Sequence, residues 1–323
     1  MTYTIDVHLS PEEVQHRMRA DAVAGLQSPI KSIPPVWFYD ERGSQLFEEI
    51  TRLPEYYPTR AERQLLENHA GTIAEMSKAD TLVELGAGAC EKSRILLDAM
   101  QHLDLLARYV PFDVSDEFLR DAATTLSKEY ESLAIHLVIG DFHEHLAEIP
   151  TDGRRLVAFL GGTIGNLNPA QRARFLFDLN CTMSSGDSLL LGTDLVKDRQ
   201  RLVAAYDDAA GITADFNRNV LHVLNEQLGG DFVPDQFTHV ALWNESEHWI
   251  EMRLRSDAAT QVTLREAGIA VQFDEGEDLL TEISAKFTPE RVEEELSAAS
   301  FVVDDMWGAE EGEFLITLAH PFC

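Results

Sequence analysis

The stretch Thr81–Ser93, TLVELGAGACEKS, decides how this chain folds. It predicts a short apolar strand over Thr81–Leu85, a tight turn through Gly86 and Gly88, and the start of a helix that carries Lys92. Because glycine has no Cβ, the backbone of such a turn can approach a ligand closely. The N–H groups at the start of the following helix favour negatively charged groups. The stretch is therefore typical of a nucleotide-binding corner in an α/β protein.

This turn departs from the dinucleotide fingerprint G-x-G-x-x-G, since Glu91 stands at the position of the third glycine. A carboxylate there would repel a pyrophosphate. Glu84, two residues before the first glycine, suits the cationic tail of a ligand instead. The pattern ELGAG resembles the first motif of Rossmann-like, S-adenosylmethionine-dependent methyltransferases. A glycine pair after an apolar strand also arises by chance in many α/β proteins, so the rest of the chain has to decide.

Composition narrows the classes of function. The chain has 323 residues, 45% of them hydrophobic, which is enough for one large domain or two with a sizeable core. Its 26 Lys and Arg against 56 Asp and Glu give a formal net charge of −30, which disfavours nucleic acid and anionic membranes as partners. No apolar run approaches the roughly 20 residues that span a bilayer, and the N-terminus lacks the features of a secretory signal. We expect a cytoplasmic protein that acts on a small molecule.

The metal-binding residue types do not form a metal site in the sequence. Cys90, Cys181 and Cys323 match no zinc spacing and no disulfide framework. His143 and His145 form an H-x-H pair, but the start of an exposed helix explains this pair better than a metal ion does. We therefore expect no metal.

Apolar strands alternate with helical patterns after Thr81. The apolar runs are Thr81–Leu85, Tyr109–Val114, Ile135–Ile139, Leu156–Leu160 and Ser188–Leu191. Continuous apolar strands separated by helices predict a parallel sheet with both faces covered. Right-handed crossovers then give a doubly wound α/β sheet, with ligands at the carboxyl ends of its strands.

The pattern changes after Lys197. A helical pattern over about Asp198–Asn219 precedes consecutive strands with short turns, which predict an antiparallel sheet. These strands are Phe237–Trp243, His248–Leu254, Gln261–Leu264, Ala270–Phe273 and Leu280–Phe287. A helix from Pro289 and two further strands follow. We expect them to complete the first sheet.

Two capping boxes predict helices before the sheet. Ser10 with Glu13 predicts a helix to about Leu26, and Thr59 with Glu62 predicts one to about Met76. The first sixty residues are expected to lie outside the sheet. We therefore predict a smaller, discontinuous α+β substrate domain, and a larger methyltransferase-like domain. The first comprises residues 1–60 and 196–286, and the second comprises residues 61–195 and 287–323.

Acidic residues end the two strands that follow the glycine turn. Asp113 can accept hydrogen bonds from both hydroxyls of a ribose. Asp141 and Phe142 can bond the amino group of adenine and stack on its ring. An NAD site would explain Asp113 but would not need the other two residues. Together with the missing third glycine, this set favours a methyl donor over a dinucleotide.

A second glycine-rich stretch, FLGGTIGNLNP, follows the fourth apolar run, where we expect the methyl acceptor. The amide of Asn166 can both donate and accept hydrogen bonds, so it could hold an α-amino group and a carboxylate together. A glycine-rich turn capped by Asn explains the stretch equally well.

Eight stretches spread over most of the chain resemble the histidine Nα-methyltransferases of ergothioneine biosynthesis. They are ITRLPEYYPTRAE, TLVELGAGACEKS, PFDVS, GDF, FLGGTIGNLNP, LLLGTDLVKD, AYDDAAGITADFNRNVL and LLTEISAKF. The resemblance implies three successive methyl transfers from S-adenosylmethionine to the α-amino group of L-histidine, with hercynine as the product. It also suggests a monomer.

The resemblance implies two sets of site residues. Its donor positions fall on Gly86, Lys92, Asp113, Asp141 and Phe142. Its acceptor positions fall on Tyr56, Asn166, Tyr206, Met252, Glu282 and Ser284. Asn166 and Tyr206 would bind the amino-acid head. Glu282 and Ser284, two residues apart on a strand, would hold the imidazole from one face, with Met252 against the ring. Without the resemblance, an exposed polar strand face and ordinary core packing would explain these last three residues.

The expected reaction is an in-line displacement at a sulfonium methyl group. The leaving group is a neutral thioether and needs no acid, but the amine is mostly protonated near neutral pH and must lose a proton. Tyr39 and Tyr56 are the candidates that would carry this proton away, and Asn166 would position the amine. Bringing amine and methyl to about 3 Å supplies most of the rate enhancement.

Three alternatives stay open. A related methyltransferase could act on another amino acid such as tryptophan, for which an apolar residue would suit the indole better than Glu282 does. A nicotinamide-dependent dehydrogenase and a ligand-binding protein without catalysis are the other two.

Overall fold

The computed structural model describes residues 3–88, 90, 92–309 and 312–322. Glu91, at the third-glycine position, and Cys323 lie outside the described residues. The chain divides into two compact units. The first unit comprises Met1–Leu9, Pro58–Val196 and Phe287–Cys323, and the second unit comprises Ser10–Tyr57 and Lys197–Lys286.

The described residues form the following helices and strands. The strands are β1 (Thr4–Val7), β2 (Thr81–Leu85), β3 (Arg108–Asp113), β4 (Ala134–Ile139), β5 (Arg155–Phe159), β6 (Ser188–Asp194), β7 (Phe237–Asn244), β8 (Trp249–Ser256), β9 (Thr260–Leu264), β10 (Ile269–Phe273), β11 (Asp278–Ala285), β12 (Phe301–Gly308) and β13 (Phe314–Pro321). The α-helices are α1 (Pro11–Leu26), α2 (Glu41–Ile50), α3 (Pro58–Ser77), α4 (Ser93–His102), α5 (Asp116–Glu129), α6 (Pro169–Thr182), α7 (Arg199–Ala204), α8 (Ile212–Leu228) and α9 (Pro289–Ala298).

A mostly parallel, Rossmann-like sheet of eight strands organises the first unit. The strand order is β1-β4-β3-β2-β5-β6-β13-β12, and the six strands from β1 to β6 run parallel. β13 runs antiparallel to β6, and β12 pairs antiparallel with β13. The strand order reverses between β2 and β5. The carboxyl ends of these two neighbours therefore mark the switch point at which open α/β sheets bind ligands.

The apolar runs of the sequence become the buried strands of this sheet. Every residue of β2, β5 and β6 is buried, as expected of parallel strands with both faces covered. Side chains from the helices complete one apolar cluster with the strands, among them Leu66, Leu97 and Leu126. The doubly wound α/β class predicted from the sequence is confirmed, and the bounds of β2 match the predicted strand residue for residue.

The second unit has a separate apolar core and two small sheets. β11, β8 and β7 form a three-stranded antiparallel sheet, and β9 pairs with β10 in a hairpin. The sequence predicted one antiparallel sheet from these five strands. The predicted helix over Asp198–Asn219 is also two helices, because the backbone at Gly211 is left-handed with φ +77° and α8 starts after it. The carboxylate of Asp208 accepts hydrogen bonds from the N–H groups of Ile212 and Thr213 at this start.

Two expectations about the N-terminal segment were wrong. Thr4–Val7 does not lie outside the sheet but forms β1, which extends the sheet beside β4. This strand is short and mostly exposed at the sheet edge, so it lacks the buried apolar pattern that reveals the others. The helix predicted from Thr59 to about Met76 is confirmed as α3, but Thr59 and Glu62 do not cap it, because α3 already begins at Pro58. The box at Ser10 is confirmed, with both reciprocal hydrogen bonds formed.

No helix among the described residues is both long enough and apolar enough to cross a membrane.

Candidate functional site

The glycine turn after β2 has the backbone that its sequence predicts. Gly86 and Gly88 adopt left-handed φ values of +73° and +49°. A Cβ added at either position would meet no atom within 4 Å, so conformation rather than crowding requires glycine here. The N–H of Gly86 donates to the carbonyl oxygen of Phe112 at 2.8 Å, which ties the turn to β3. The turn therefore borders open space at the carboxyl edge of the sheet.

Asp113 at the end of β3 fixes this turn. Its Oδ2 accepts the N–H of Gly88 at 2.9 Å, and its Oδ1 accepts the N–H of Ser115 at 3.0 Å. Desolvation raises the pKa of Asp113, while these backbone bonds lower it. Each carboxylate oxygen has a second lone pair, so the group can accept hydrogen bonds from a diol as well.

Asp141 and Phe142 follow β4 at the same edge of the sheet. Asp141 is buried, and its Oδ1 accepts the N–H of His143 at 2.7 Å. The ring of Phe142 packs edge-on against Phe159 and Phe175, at centroid distances of 5.3 and 5.6 Å, and stays partly exposed. The loop therefore presents an ordered carboxyl group next to an aromatic ring, as an adenine site requires.

Glu84 does not have the ligand-facing position that its place in the sequence suggested. Its side chain is 4% exposed and accepts hydrogen bonds from the hydroxyls of Ser93 and Tyr109. Burial raises the pKa of this carboxyl group. Glu84 thus joins β2 to β3 and to the start of α4, which is a structural role.

Lys92 lies at the start of α4 and pairs with Glu62, which was predicted to take part in a helix cap. Its ammonium donates to Oε2 of Glu62, whose side chain is completely buried. Oε1 of Glu62 accepts the N–H of Gly161 at 2.7 Å. Only the tertiary structure reveals this contact, because Glu62 is 30 residues from Lys92 and 99 residues from Gly161.

The loop after β5 combines two left-handed glycines with a short 3₁₀ turn over Thr163–Asn166. Asn166 is half-buried, and its amide makes no hydrogen bond to another residue in the described part of the chain. Asn168, rather than Asn166, caps α6 and bonds reciprocally with Gln171. The capping interpretation of this stretch therefore explains Asn168 but does not explain Asn166.

The second unit contains a buried cluster of a lysine and two hydroxyl groups. Lys286 is 1% exposed, and its Nζ lies 2.9 Å from the hydroxyl of Tyr206 and 2.8 Å from Oγ of Ser284. The two hydroxyl groups are 2.8 Å apart. We name Tyr206, Ser284 and Lys286 the ammonium cluster. Lys286 was not predicted as a site residue, although it continues the every-second-residue spacing of Glu282 and Ser284 in the sequence.

Glu282 lies on the same face of β11 as Ser284, next to Met252 across the strand pair. Glu282 is 8% exposed and Met252 is 2% exposed, so neither belongs to an exposed strand face. Burial raises the pKa of Glu282 to about 7, although the positive charge of Lys286 lowers it. A buried acid near the end of β11 and a buried cation directly after this strand therefore stand on either side of Ser284 in the sequence.

Aromatic rings surround the tyrosines that were proposed as proton acceptors. Tyr56 meets Phe47 and Tyr206 edge-on, at centroid distances of 6.3 and 6.2 Å. Tyr39 meets Phe47 and Phe216 in the same manner, at 5.7 and 5.6 Å. Tyr56 and Tyr39 thus belong with Tyr206 to one aromatic layer of the second unit.

The buried carboxyl of Glu282 predicts a pH-dependent stability. The folded pKa of about 7 exceeds the ordinary value of 4.5, so the folded chain keeps a proton that the unfolded chain releases in between. Stability falls as pH rises through this window, by about 3 kcal/mol in total. Glu282→Gln should therefore unfold at higher urea concentration than the wild type at pH 8, with the difference vanishing below pH 4.5. A difference that stays constant with pH, or that also occurs in the exposed control Glu247→Gln, would contradict this prediction.

Possible metal ligands and free thiols also occur in the described part of the chain. No group of three or more His, Cys, Asp or Glu there could hold a metal ion. Cys90 is buried, and burial raises the pKa of its thiol. The protonated thiol, which is a poor nucleophile, therefore predominates.

The family model described as "Histidine-specific methyltransferase, SAM-dependent" matches residues 18–321. The chain is 52% identical over 319 residues to the histidine N-alpha-methyltransferase of Mycobacterium tuberculosis, covering 99% of both proteins. The enzyme of the same name from Mycolicibacterium smegmatis has the same identity and coverage. An L-tryptophan methyltransferase from Psilocybe serbica is 26% identical, with 97% of this chain and 96% of that protein covered. The chain belongs to the family of histidine-specific, S-adenosylmethionine-dependent methyltransferases.

Proposed function

We propose that this protein transfers three methyl groups from S-adenosylmethionine to the α-amino group of L-histidine and thereby forms hercynine in ergothioneine biosynthesis. The family membership and the two relatives named histidine N-alpha-methyltransferase support the proposal. A relative named ergothioneine biosynthesis protein 1 supports the pathway. The observation that carries it lies at the end of β11, where the buried acid Glu282 and the buried cation Lys286, one residue past the strand, stand on either side of Ser284 in the sequence.

The acceptor is a zwitterionic amino acid with an imidazole ring, and the second unit offers complementary groups. The ammonium cluster has a net positive charge and suits the carboxylate of the amino acid, since charge-assisted hydrogen bonds are the stronger ones. Glu282 accepts an N–H of the imidazole, and Met252 packs against the ring. The hydroxyl of Ser284, oriented by Lys286, bonds the other ring nitrogen.

The donor is assigned to the carboxyl edge of the first unit. The open glycine turn lets the backbone at Gly86 approach the donor, and Asp113 accepts hydrogen bonds from its ribose hydroxyls. Asp141 and Phe142 bind the adenine ring, and the ammonium of Lys92 binds a negatively charged group. The residues fit the donor, which supplies an electrophilic methyl group on a sulfonium and leaves as a neutral thioether.

The remaining chemistry consists of positioning the amine and removing its proton. Asn166 can hold the α-amino group through its amide oxygen. A hydroxyl group of Tyr39 or Tyr56 passes the departing proton towards solvent, and this has to happen before each methylation for which the amine still carries a proton. No general acid is required. Bringing the nitrogen to about 3 Å from the methyl carbon can supply several kcal/mol of the rate enhancement.

Mass spectrometry of the reaction products tests the proposal. The purified protein is incubated with S-adenosylmethionine and either L-histidine or L-tryptophan. We expect three successive methyl increments on histidine and on its mono- and dimethyl forms. Methylation of tryptophan alone would favour the related activity named for the Psilocybe protein, and a thermal shift with NAD but not with S-adenosylhomocysteine would indicate a dehydrogenase. The proposal includes a cytoplasmic monomer, which sedimentation analysis of the purified protein and fractionation of cells would test.

A further inference from the structure

Glu62 lies outside every position that the sequence resemblance assigns to the site, yet it contacts two of the site loops. Its side chain is 0% exposed. Oε2 accepts a hydrogen bond from Lys92, which starts α4 after β2, and Oε1 accepts the N–H of Gly161, which follows β5. Because β2 and β5 are neighbours at the switch point of the sheet, one side chain bridges the two loops that leave this point.

The sheet leaves room for this carboxylate. Gly192 belongs to β6 and has strand backbone, which any residue could adopt. A Cβ added there would overlap Oε1 of Glu62 and would lie 3.2 Å from Cε1 of Phe314. The space taken by Glu62 therefore explains the glycine. Gly161 is close as well, since a Cβ added to it would lie 3.5 Å from Nζ of Lys92.

A charged pair is an expensive way to fill this space. Burying a carboxylate costs free energy unless a cation and hydrogen bonds compensate it, and an apolar residue of similar size often stabilises a fold as well or better. The ammonium of Lys92 and the N–H of Gly161 compensate the cost of burying the carboxylate of Glu62. The side chain of Lys92 nevertheless stays 22% exposed, so this residue is not closed off from the surface as Glu62 is.

We propose that Glu62 is a positioning residue for methyl transfer, which directs the ammonium of Lys92 towards the donor and anchors the loop of Gly161. This inference rests on the proposed function, since Lys92 is assigned there to the donor. The two carboxylate oxygens have separable tasks. Oε2 acts through the charge on Lys92, whereas Oε1 only has to accept the backbone N–H of Gly161.

Two substitutions separate these tasks. Glu62→Gln keeps a carbonyl oxygen for Gly161 but removes the negative charge beside Lys92, so the affinity for S-adenosylhomocysteine should fall about tenfold. The KM for histidine should stay within about twofold of the wild type. Glu62→Ala removes both bonds, so kcat should fall by a further factor of about 10 as the loop loses its anchor. Calorimetric titration and steady-state kinetics give these values.

A second buried ion pair of the same unit provides the matched control. Asp187 is 1% exposed and pairs with Arg155, which lies at the start of β5 and thus at the strand end opposite to Gly161. Asp187→Asn should lower the thermal stability without changing the affinity for S-adenosylhomocysteine. A merely structural role of Glu62 would make both variants behave alike.

A double-mutant cycle tests whether Glu62 acts through Lys92. In the background of Lys92→Met, the further change Glu62→Gln should not weaken S-adenosylhomocysteine binding again. Additive losses, or an unchanged affinity in folded Glu62→Gln, would overturn the inference. A wild-type protein that binds no S-adenosylhomocysteine would instead refute the proposed function itself, so the two failures are distinguishable.

Discussion

Replacing Glu282 with alanine is expected to weaken the binding of L-histidine by about 100-fold, while the affinity for S-adenosylhomocysteine stays within about twofold. Glu282 is buried on β11 beside Met252, and the proposed acceptor site has a carboxylate for the imidazole N–H only at this position. Removing it leaves the N–H of a bound ring without its acceptor. The residues proposed for the donor belong to the first unit, so the affinity for S-adenosylhomocysteine should not respond.

Titration calorimetry with each ligand measures both affinities on the same variant. Glu282→Gln is the matched comparison, because its amide oxygen can still accept the imidazole N–H without the charge, and it should lose less affinity than alanine does. Glu247→Ala in the same unit is exposed and should bind both ligands like the wild type. An equal loss for histidine and S-adenosylhomocysteine in Glu282→Ala would contradict the assignment of Glu282 to the acceptor.

The features that could be predicted from the sequence are those with a local signal. Continuous apolar runs identified β2 to β6 as strands, since a parallel strand covered on both faces has no polar face to show. The end of each strand then fixed where Gly86, Asp113 and Asp141 would lie, at one edge of one sheet. The cap at Ser10 was predictable because both of its hydrogen bonds form within four residues.

The features that escaped prediction depend on contacts between distant segments. Thr59 and Glu62 have the spacing of a helix cap in the sequence. In the fold, however, the carboxylate of Glu62 pairs with Lys92, and the helix already starts at Pro58. β1 is too short and too exposed to differ from a loop in sequence. Lys286 alternates with Glu282 and Ser284, yet a lysine on a strand is ordinarily solvated, and only the fold buries it.

Replacing Lys286 with methionine should weaken L-histidine binding about 100-fold, because the charge-assisted contact proposed for the substrate carboxylate would be lost in a buried site. Methionine keeps a similar length without the charge. Removing the positive charge of Lys286 should also raise the pKa of Glu282 further, since this charge lowers it in the wild type. The fall in the free energy of unfolding that Glu282 causes should then extend to a higher pH than in the wild type. Urea unfolding at several pH values would measure this.

Histamine, which is histidine without its carboxylate, makes the prediction for Lys286 specific. The wild type should bind histamine much more weakly than histidine, and Lys286→Met should bind histamine no more weakly than the wild type does. Lys31→Met is the control, because the ammonium of Lys31 pairs with Glu277 in the same unit, whereas that of Lys286 bonds to Tyr206 and Ser284. Lys31→Met should leave the ratio of the affinities for histidine and histamine unchanged. If Lys286→Met instead weakens histamine and histidine by equal factors, the lysine supports the fold or the ring rather than the carboxylate, and its assignment is wrong.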